Sequence, residues 1–171
     1  MDLTRRIEGC EPYETLLRKL LDVALRRLGD DLISFVVFGS VARCDAKRDS
    51  DIDLFIVIRN PPKSRFRRQD LFIELEEEII EDIERLRDQG YNIDFSPIIK
   101  SVEEASRVTP LYLDMVEDAV ILYDRDNFIT NILEKLKRRL SELGAERVWM
   151  GRRWYWRLKK DYRFGEVIEI G

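Results

Sequence analysis

The chain has 171 residues, 44% hydrophobic and 37% charged, which is enough for one domain with a substantial core and too few for two large ones. Its net charge is −4 and it contains no histidine, which argues against a generally basic nucleic-acid-binding surface and excludes His-based triads and most transition-metal sites. No apolar run is long enough to cross a bilayer, and the N-terminal MDLTRRIEGCEPYE lacks the apolar stretch and cleavage site of a signal peptide, so a cytoplasmic protein with no membrane contact is expected.

The two cysteines, Cys10 and Cys44, have no C-x-x-C spacing, so any chemistry falls to carboxylates, hydroxyls and cations. Four Asn and two Gln stand against a dense mixture of Arg, Lys and Glu. That balance points to a source that grows hot, where ion-pair networks gain and labile amides are avoided.

In chain order, Leu16, Leu17, Leu20, Leu21, Ala24, Leu25 and Leu28 recur at helical spacing, which predicts an amphipathic helix over Tyr13–Leu28 ended by Gly29-Asp30-Asp31. Leu32 to Phe38 (LISFVVF) then reads as a strand buried on both faces, closed by Gly39-Ser40. A short helix or turn fits Val41 to Arg48, and Ile52 to Ile58 (IDLFIVI) is a second buried strand stopped by Asn60-Pro61-Pro62. One long helix is expected from about Arg65 to Asp88, with Leu71, Phe72, Leu75, Ile79, Ile80, Ile83 and Leu86 on its apolar stripe. Asn92 to Ile99 reads as a third strand, with Asp94 facing away from Ile93 and Phe95. Short helices near Val102–Arg107 and Leu111–Glu117, a strand Ala119–Tyr123 and a helix from about Asn127 to Leu143 complete an α+β chain with a small mixed sheet flanked by helices. The expected division is one unit over 13–144 and a basic aromatic extension over 145–171, whose alternation around Gly151 suggests a hairpin.

Asp51 and Asp53 are two residues apart at the entry of a strand and therefore point to the same side of the sheet. Clustered carboxylates with no His or Cys beside them select a hard cation, Mg²⁺ or Mn²⁺, and with Asp94 they make a set suited to two ions and an in-line phosphoryl displacement. At Gly39-Ser40 the missing Cβ lets backbone N–H groups approach a phosphate, with the Ser hydroxyl as another donor. Neither a P-loop nor a G-x-G-x-x-G pattern is present.

An apolar strand, Gly39-Ser40, ten residues, then Asp51-Ile52-Asp53 and Leu54-Phe55-Ile56-Val57 resembles the signature of the DNA polymerase beta-like nucleotidyltransferases, in particular their minimal branch. The resemblance spans about residues 13 to 125. It implies transfer of a nucleoside monophosphate, AMP foremost, from a nucleoside triphosphate such as ATP to an acceptor hydroxyl with release of pyrophosphate. By the same resemblance Gly39 and Ser40 bind the triphosphate, Asp51 and Asp53 bridge the metals, and Asp94 binds the catalytic metal and helps deprotonate the acceptor. Arg43, Lys47 and Arg48 lie between the two motifs, where Arg43 and Lys47 are candidates to reach triphosphate oxygens; taken singly, the reading favoured for each of the three is solvated surface.

The acceptor, protein or RNA, is not specified by these motifs. An alternative reading, also implied by the resemblance, is an antitoxin-like regulatory protein that binds a toxin-like partner, in some cases modifying it with AMP, and an oligomer is compatible with either. In the tail, Arg147, Arg152, Arg153, Arg157, Lys159, Lys160 and Arg163 interleave with Trp149, Trp154, Tyr155, Trp156, Tyr162 and Phe164. That is the make-up of a base-stacking surface; the reading favoured here is a structural hairpin whose tryptophans cover the core and whose cations pair with the protein's own acids.

Overall fold

A computed structural model describes residues 9–151, 153–161, 163 and 167–170. Helix α1 (Tyr13–Leu28) leads through a 3-10 turn into β1 (Leu32–Phe38), the four-residue helix α2 (Gly39–Ala42) and β2 (Ile52–Ile58). After α3 (Arg65–Glu77) and α4 (Ile80–Asp88) come β3 (Phe95–Ser101), α5 (Val102–Ala105), α6 (Leu111–Asp118), β4 (Val120–Asp124) and α7 (Phe128–Glu142). Strands β5 (Glu146–Met150) and β6 (Arg153–Arg157) pair as a separate hairpin.

The main sheet has the order β3-β2-β1-β4. It is mixed: β1 runs antiparallel to β2 and β4, while β2 and β3 are parallel and joined by the α3–α4 crossover. Every residue of β1 is buried and only Asp53 in β2 is not, as expected of central strands covered on both faces. Leu54, Ile56, Phe95 and Ile99 pack with Leu17 and Leu20 of α1, Phe72 and Leu75 of α3, Ile79 of the turn that follows α3, and Ile83 of α4. On the opposite face, Val36, Phe55 and Val57 meet Tyr112, Met115 and Val116 of α6 and Leu133 and Leu136 of α7.

The long helix expected over Arg65–Asp88 is two helices, parted by a turn at Glu78–Ile79 where Ile79 has φ −115° and ψ 13°. A straight helix of that length would run about 36 Å, against about 23 Å for a seven-residue strand. The break keeps Ile79 and Ile83 in the core and leaves Ile80 41% exposed. Strand β3 starts at Phe95 rather than Asn92, where its partner β2 begins at Ile52, and it ends at Ser101, the N-cap of α5 in a capping box with Glu104. Helix α7 is capped from a distance: Asp124 accepts the N–H groups of Ile129 and Thr130, both at 3.0 Å.

The capping box gives a pH dependence. Hydrogen bonds from the Arg68 guanidinium, then from the Ser101 N–H, pull the Glu104 carboxyl from 4.5 down to about 2. A depressed carboxyl contributes stability above its unfolded pKa and loses it as pH falls toward the folded value. The side chain is 43% exposed, so solvent screening reduces the pair and cap to about 1 kcal/mol. Glu104→Gln is therefore expected to lower the melting temperature at pH 7, with the difference closing as pH drops from 4.5 toward 2. A difference that stays constant across that range would contradict this account.

Candidate active site

The site is built where β1 and β2 meet. Phe38, the last residue of β1, pairs with Asp53 near the start of β2, so the turn at Gly39 lies directly against that aspartate. Ile52 and Leu54 are buried on the α1 side of the sheet; alternation therefore turns Asp51 and Asp53 toward the α6 side. Gly39 has φ +74°, and a Cβ placed on it would lie 2.3 Å from Asp53 Oδ2. Only glycine allows backbone and carboxylate to approach this closely.

Charge around Asp53 is unbalanced toward the negative. Burial pushes its carboxyl above the usual range and the neighbouring Asp51 pushes it further; Arg43 works in the opposite direction and Asp114 adds to the rise. Asp114, on α6, is itself raised by burial and by Asp118, against Arg147 and Arg43. Asp118 is only 5% exposed. Its Oδ2 accepts from Arg147 Nη1 at 2.6 Å and its Oδ1 from Arg147 Nη2 at 3.3 Å, while Arg43 Nη1 stands 3.5 Å from Oδ2. The Nε of Arg43 donates to Asp45 at 3.2 Å.

The remaining candidate residues separate into those near this centre and those fixed elsewhere. Ser40 sits in α2 beside Gly39, and its carbonyl accepts the Asp45 N–H at 3.0 Å. Lys47 keeps its side chain exposed, while its carbonyl accepts the Tyr13 hydroxyl at 2.6 Å and so ties the loop to α1. Arg48 is directed away: its guanidinium lies 5.0 Å from the centre of the Tyr91 ring and donates to the Gln89 carbonyl.

Asp94 lies one residue before β3. The parallel register, Ile52 opposite Phe95, extends to set Asp94 opposite Asp51, and the Asp94 carbonyl accepts the Ile52 N–H at 2.8 Å. Its carboxylate is near enough to Glu76 on α3 to raise that residue, after burial, above its usual value. The structure thus joins Asp51 and Asp53 and leaves Asp94 one strand away. Among the described residues no three His, Cys, Asp or Glu side chains are grouped to hold a metal ion.

Sequence reasoning missed three participants and one covalent tie. Asp114 and Asp118 are spaced i, i+4 and so share a face of α6, a signal that was available in the helical pattern of Leu111–Glu117. Arg147 arrives from the hairpin, 29 residues beyond Asp118, and nothing local foretells that pairing. Cys10 and Cys44 form a disulfide with Cα atoms 5.5 Å apart, linking the segment before α1 to the loop between Ser40 and Asp51.

A family model described as a nucleotidyltransferase domain matches residues 17–123. A protein of Methanocaldococcus jannaschii provisionally named a protein adenylyltransferase is 38% identical over 130 residues, covering 72% of this chain and 83% of that protein. Among solved structures, a toxin–antitoxin with AMP-PNP is 18% identical with a TM-score of 0.47, covering 74% of this chain and 91% of the other. A mutant of the toxin–antitoxin MntA–HpeT is 16% identical with the same TM-score of 0.47 and the same coverage, 74% and 91%.

Proposed function

Because this chain belongs to the nucleotidyltransferase domain family, we propose that it transfers AMP from ATP to a hydroxyl of a macromolecular acceptor, with Asp51 and Asp53 at the reacting centre. The observation that carries this reading is the approach of the Gly39 backbone to Asp53, which brings a phosphate-binding turn and the carboxylate pair into one site. Gly39 and Ser40 offer the triphosphate a backbone turn and a hydroxyl, and Arg43 and Lys47 flank them with positive charge.

The donor set suits Mg²⁺ or Mn²⁺. Asp51 and Asp53 set two carboxylates on one side of the sheet, Asp114 adds negative charge and Arg43 works against it, and hard oxygens with surplus negative charge fit such ions. Asp51 and Asp53 would hold the metal, which when bound neutralises phosphoryl charge and activates the acceptor oxygen. Asp94, across the strand pair, is assigned to orient the acceptor hydroxyl and take up its proton. Mg²⁺ at about 100 times its dissociation constant is expected to add roughly 2.7 kcal/mol of stability. Thermal unfolding reads this directly; an equal shift in Asp51→Asn/Asp53→Asn would place the ion elsewhere.

The acceptor we infer is a protein, in keeping with the provisional name of the 38% identical relative. The compartment we infer is the cytoplasm, where nucleoside triphosphates are available. A disulfide there accords with the composition of a hot-growing source, since intracellular proteins of such organisms carry them. The test is incubation with each α-labelled nucleoside triphosphate and Mg²⁺ in host lysate. Label from ATP on a protease-sensitive species, or on a second chain that copurifies, is the expected result. Label removed by ribonuclease would make the acceptor RNA, and no label from any nucleotide would overturn the assignment.

A further inference from the structure

A buried carboxylate needs a cation, and Asp118 has two within reach. Arg147 holds it with a two-bond fork at 2.6 and 3.3 Å; Arg43, at 3.5 Å, makes only a looser ion pair. The hairpin presets Arg147 for this role. Its guanidinium lies 4.9 Å from the centre of the Trp149 ring and 5.2 Å from that of Trp154, both within cation–π range. The cross-strand pairs Arg147–Trp156 and Trp149–Trp154 put all four side chains on one face of the hairpin. Trp156 fastens that face to α6 by donating its Nε1–H to the Leu113 carbonyl at 3.1 Å.

Arg43 is placed differently. It follows Gly39 by one turn, its N–H bonded to the Gly39 carbonyl at 3.3 Å, and its side chain is 25% exposed. It is the cation that acts on both Asp53 and Asp114. So long as Arg147 satisfies Asp118, Arg43 is not required there.

We propose that Arg147 is a positioning residue for nucleotide binding: by occupying Asp118 it keeps Arg43, held only by the exposed Asp45 at 3.2 Å and loosely by Asp118, at the mouth of the Asp51–Asp53 site, available to meet the triphosphate. This rests on the nucleotidyltransferase reading given above. Without Arg147 the buried Asp118 carboxylate draws the Arg43 guanidinium into its own fork, because an unpaired buried charge is costlier than the loss of a looser, partly exposed contact. The hairpin is then part of the nucleotide site without touching nucleotide.

The test compares ATP binding by calorimetry, and transfer at saturating ATP, in Arg147→Ala, Asp118→Asn and Arg147→Ala/Asp118→Asn. Arg147→Ala is expected to weaken ATP binding about tenfold, the scale of one charge-assisted contact, with transfer at saturation unchanged. The double variant, in which the competing charge is gone, is expected to return within about threefold of wild type, on the scale of that same contact. Removing Asp118 also relieves an unpaired buried charge, so rescue of stability alone would fit a merely structural role; the readout that separates the two is weaker ATP binding in folded Arg147→Ala with transfer at saturation unchanged. ATP binding unchanged in Arg147→Ala, or a double variant as weak as the single, overturns the proposal. Wild-type protein that binds no nucleotide overturns the functional reading itself. Melting curves of all variants report whether each is folded; where Arg147→Ala unfolds, Arg147→Lys, which keeps the charge and loses the two-bond fork, takes its place, and ATP binding unchanged in it overturns the proposal.

Discussion

Asp53→Ala is expected to reduce nucleotidyl transfer by about 10³-fold or more while the protein keeps its fold. A loss of that size corresponds to roughly 4 kcal/mol of transition-state stabilisation, the scale of an electrostatic element used in the reaction. Asp53 is the one residue of β2 that is not buried, so its removal takes no apolar contact from the core. Stability is expected to rise. Burial, then Asp51, raise the Asp53 carboxyl above 3.8, so the folded state binds the proton more tightly than the unfolded chain. The ionised group therefore costs stability as pH climbs through its folded value. In the metal-free protein the variant should melt above wild type at pH 7, and the difference should vanish once pH falls below about 3.8, the ordinary value for this carboxyl. Full transfer on a verified acceptor would remove Asp53 from the reacting centre. A lower melting temperature at pH 7 would show that its carboxylate is held by favourable contacts.

Asp94→Ala separates the two sides of the reaction. If it acts on the acceptor hydroxyl, its loss stops transfer and leaves nucleotide binding nearly unchanged, since β2 lies between it and the Gly39 turn at the end of β1.

What could be read in the sequence follows from how local each signal is. The strands LISFVVF and IDLFIVI are continuous apolar runs between turn residues, and they form the two central strands as read. Gly39-Ser40 and Asp51-x-Asp53 could be brought together in advance because a strand end and a strand start joined by a short loop must be neighbours. Four features were not legible. The break at Glu78–Ile79 carries no proline or glycine and is set by the span of the sheet beneath it. The approach of Asp118 to Arg147 and the Cys10–Cys44 link join positions far apart in sequence, and no periodicity encodes such pairings. The position of Asp94 opposite Asp51 depends on the β2–β3 register, which is set across a two-helix crossover and not by any local pattern. Of the tail residues singled out for aromatic and basic character, Arg152, Tyr162 and Phe164 lie outside the described residues. Arg147 and Arg157 pair with the protein's own Asp118 and Glu146.

Gly39→Ala should be nearly as damaging to transfer as loss of Asp53, for a different reason. The added Cβ would meet Asp53 Oδ2 at 2.3 Å in a backbone held at φ +74°. The left-handed conformation alone costs a non-glycine residue about 1–2 kcal/mol. The clash adds little more to that, because its least costly relief is rotation of the Asp53 carboxylate, the free end of a side chain. That rotation is what would destroy the site: it turns away the oxygen proposed to hold the metal and opens the contact between turn and carboxylate, and misplacement by about 1 Å can cost 10²-fold. Transfer should therefore fall by at least about 10²-fold, while stability falls by only the backbone strain. A double-mutant cycle isolates the steric part. With Asp53 already replaced by alanine the oxygen is gone, so Gly39→Ala should cost only the strain, and any coupling beyond it measures the clash. Wild-type transfer in Gly39→Ala would mean that the Gly39 turn and Asp53 do not have to touch for the reaction to proceed.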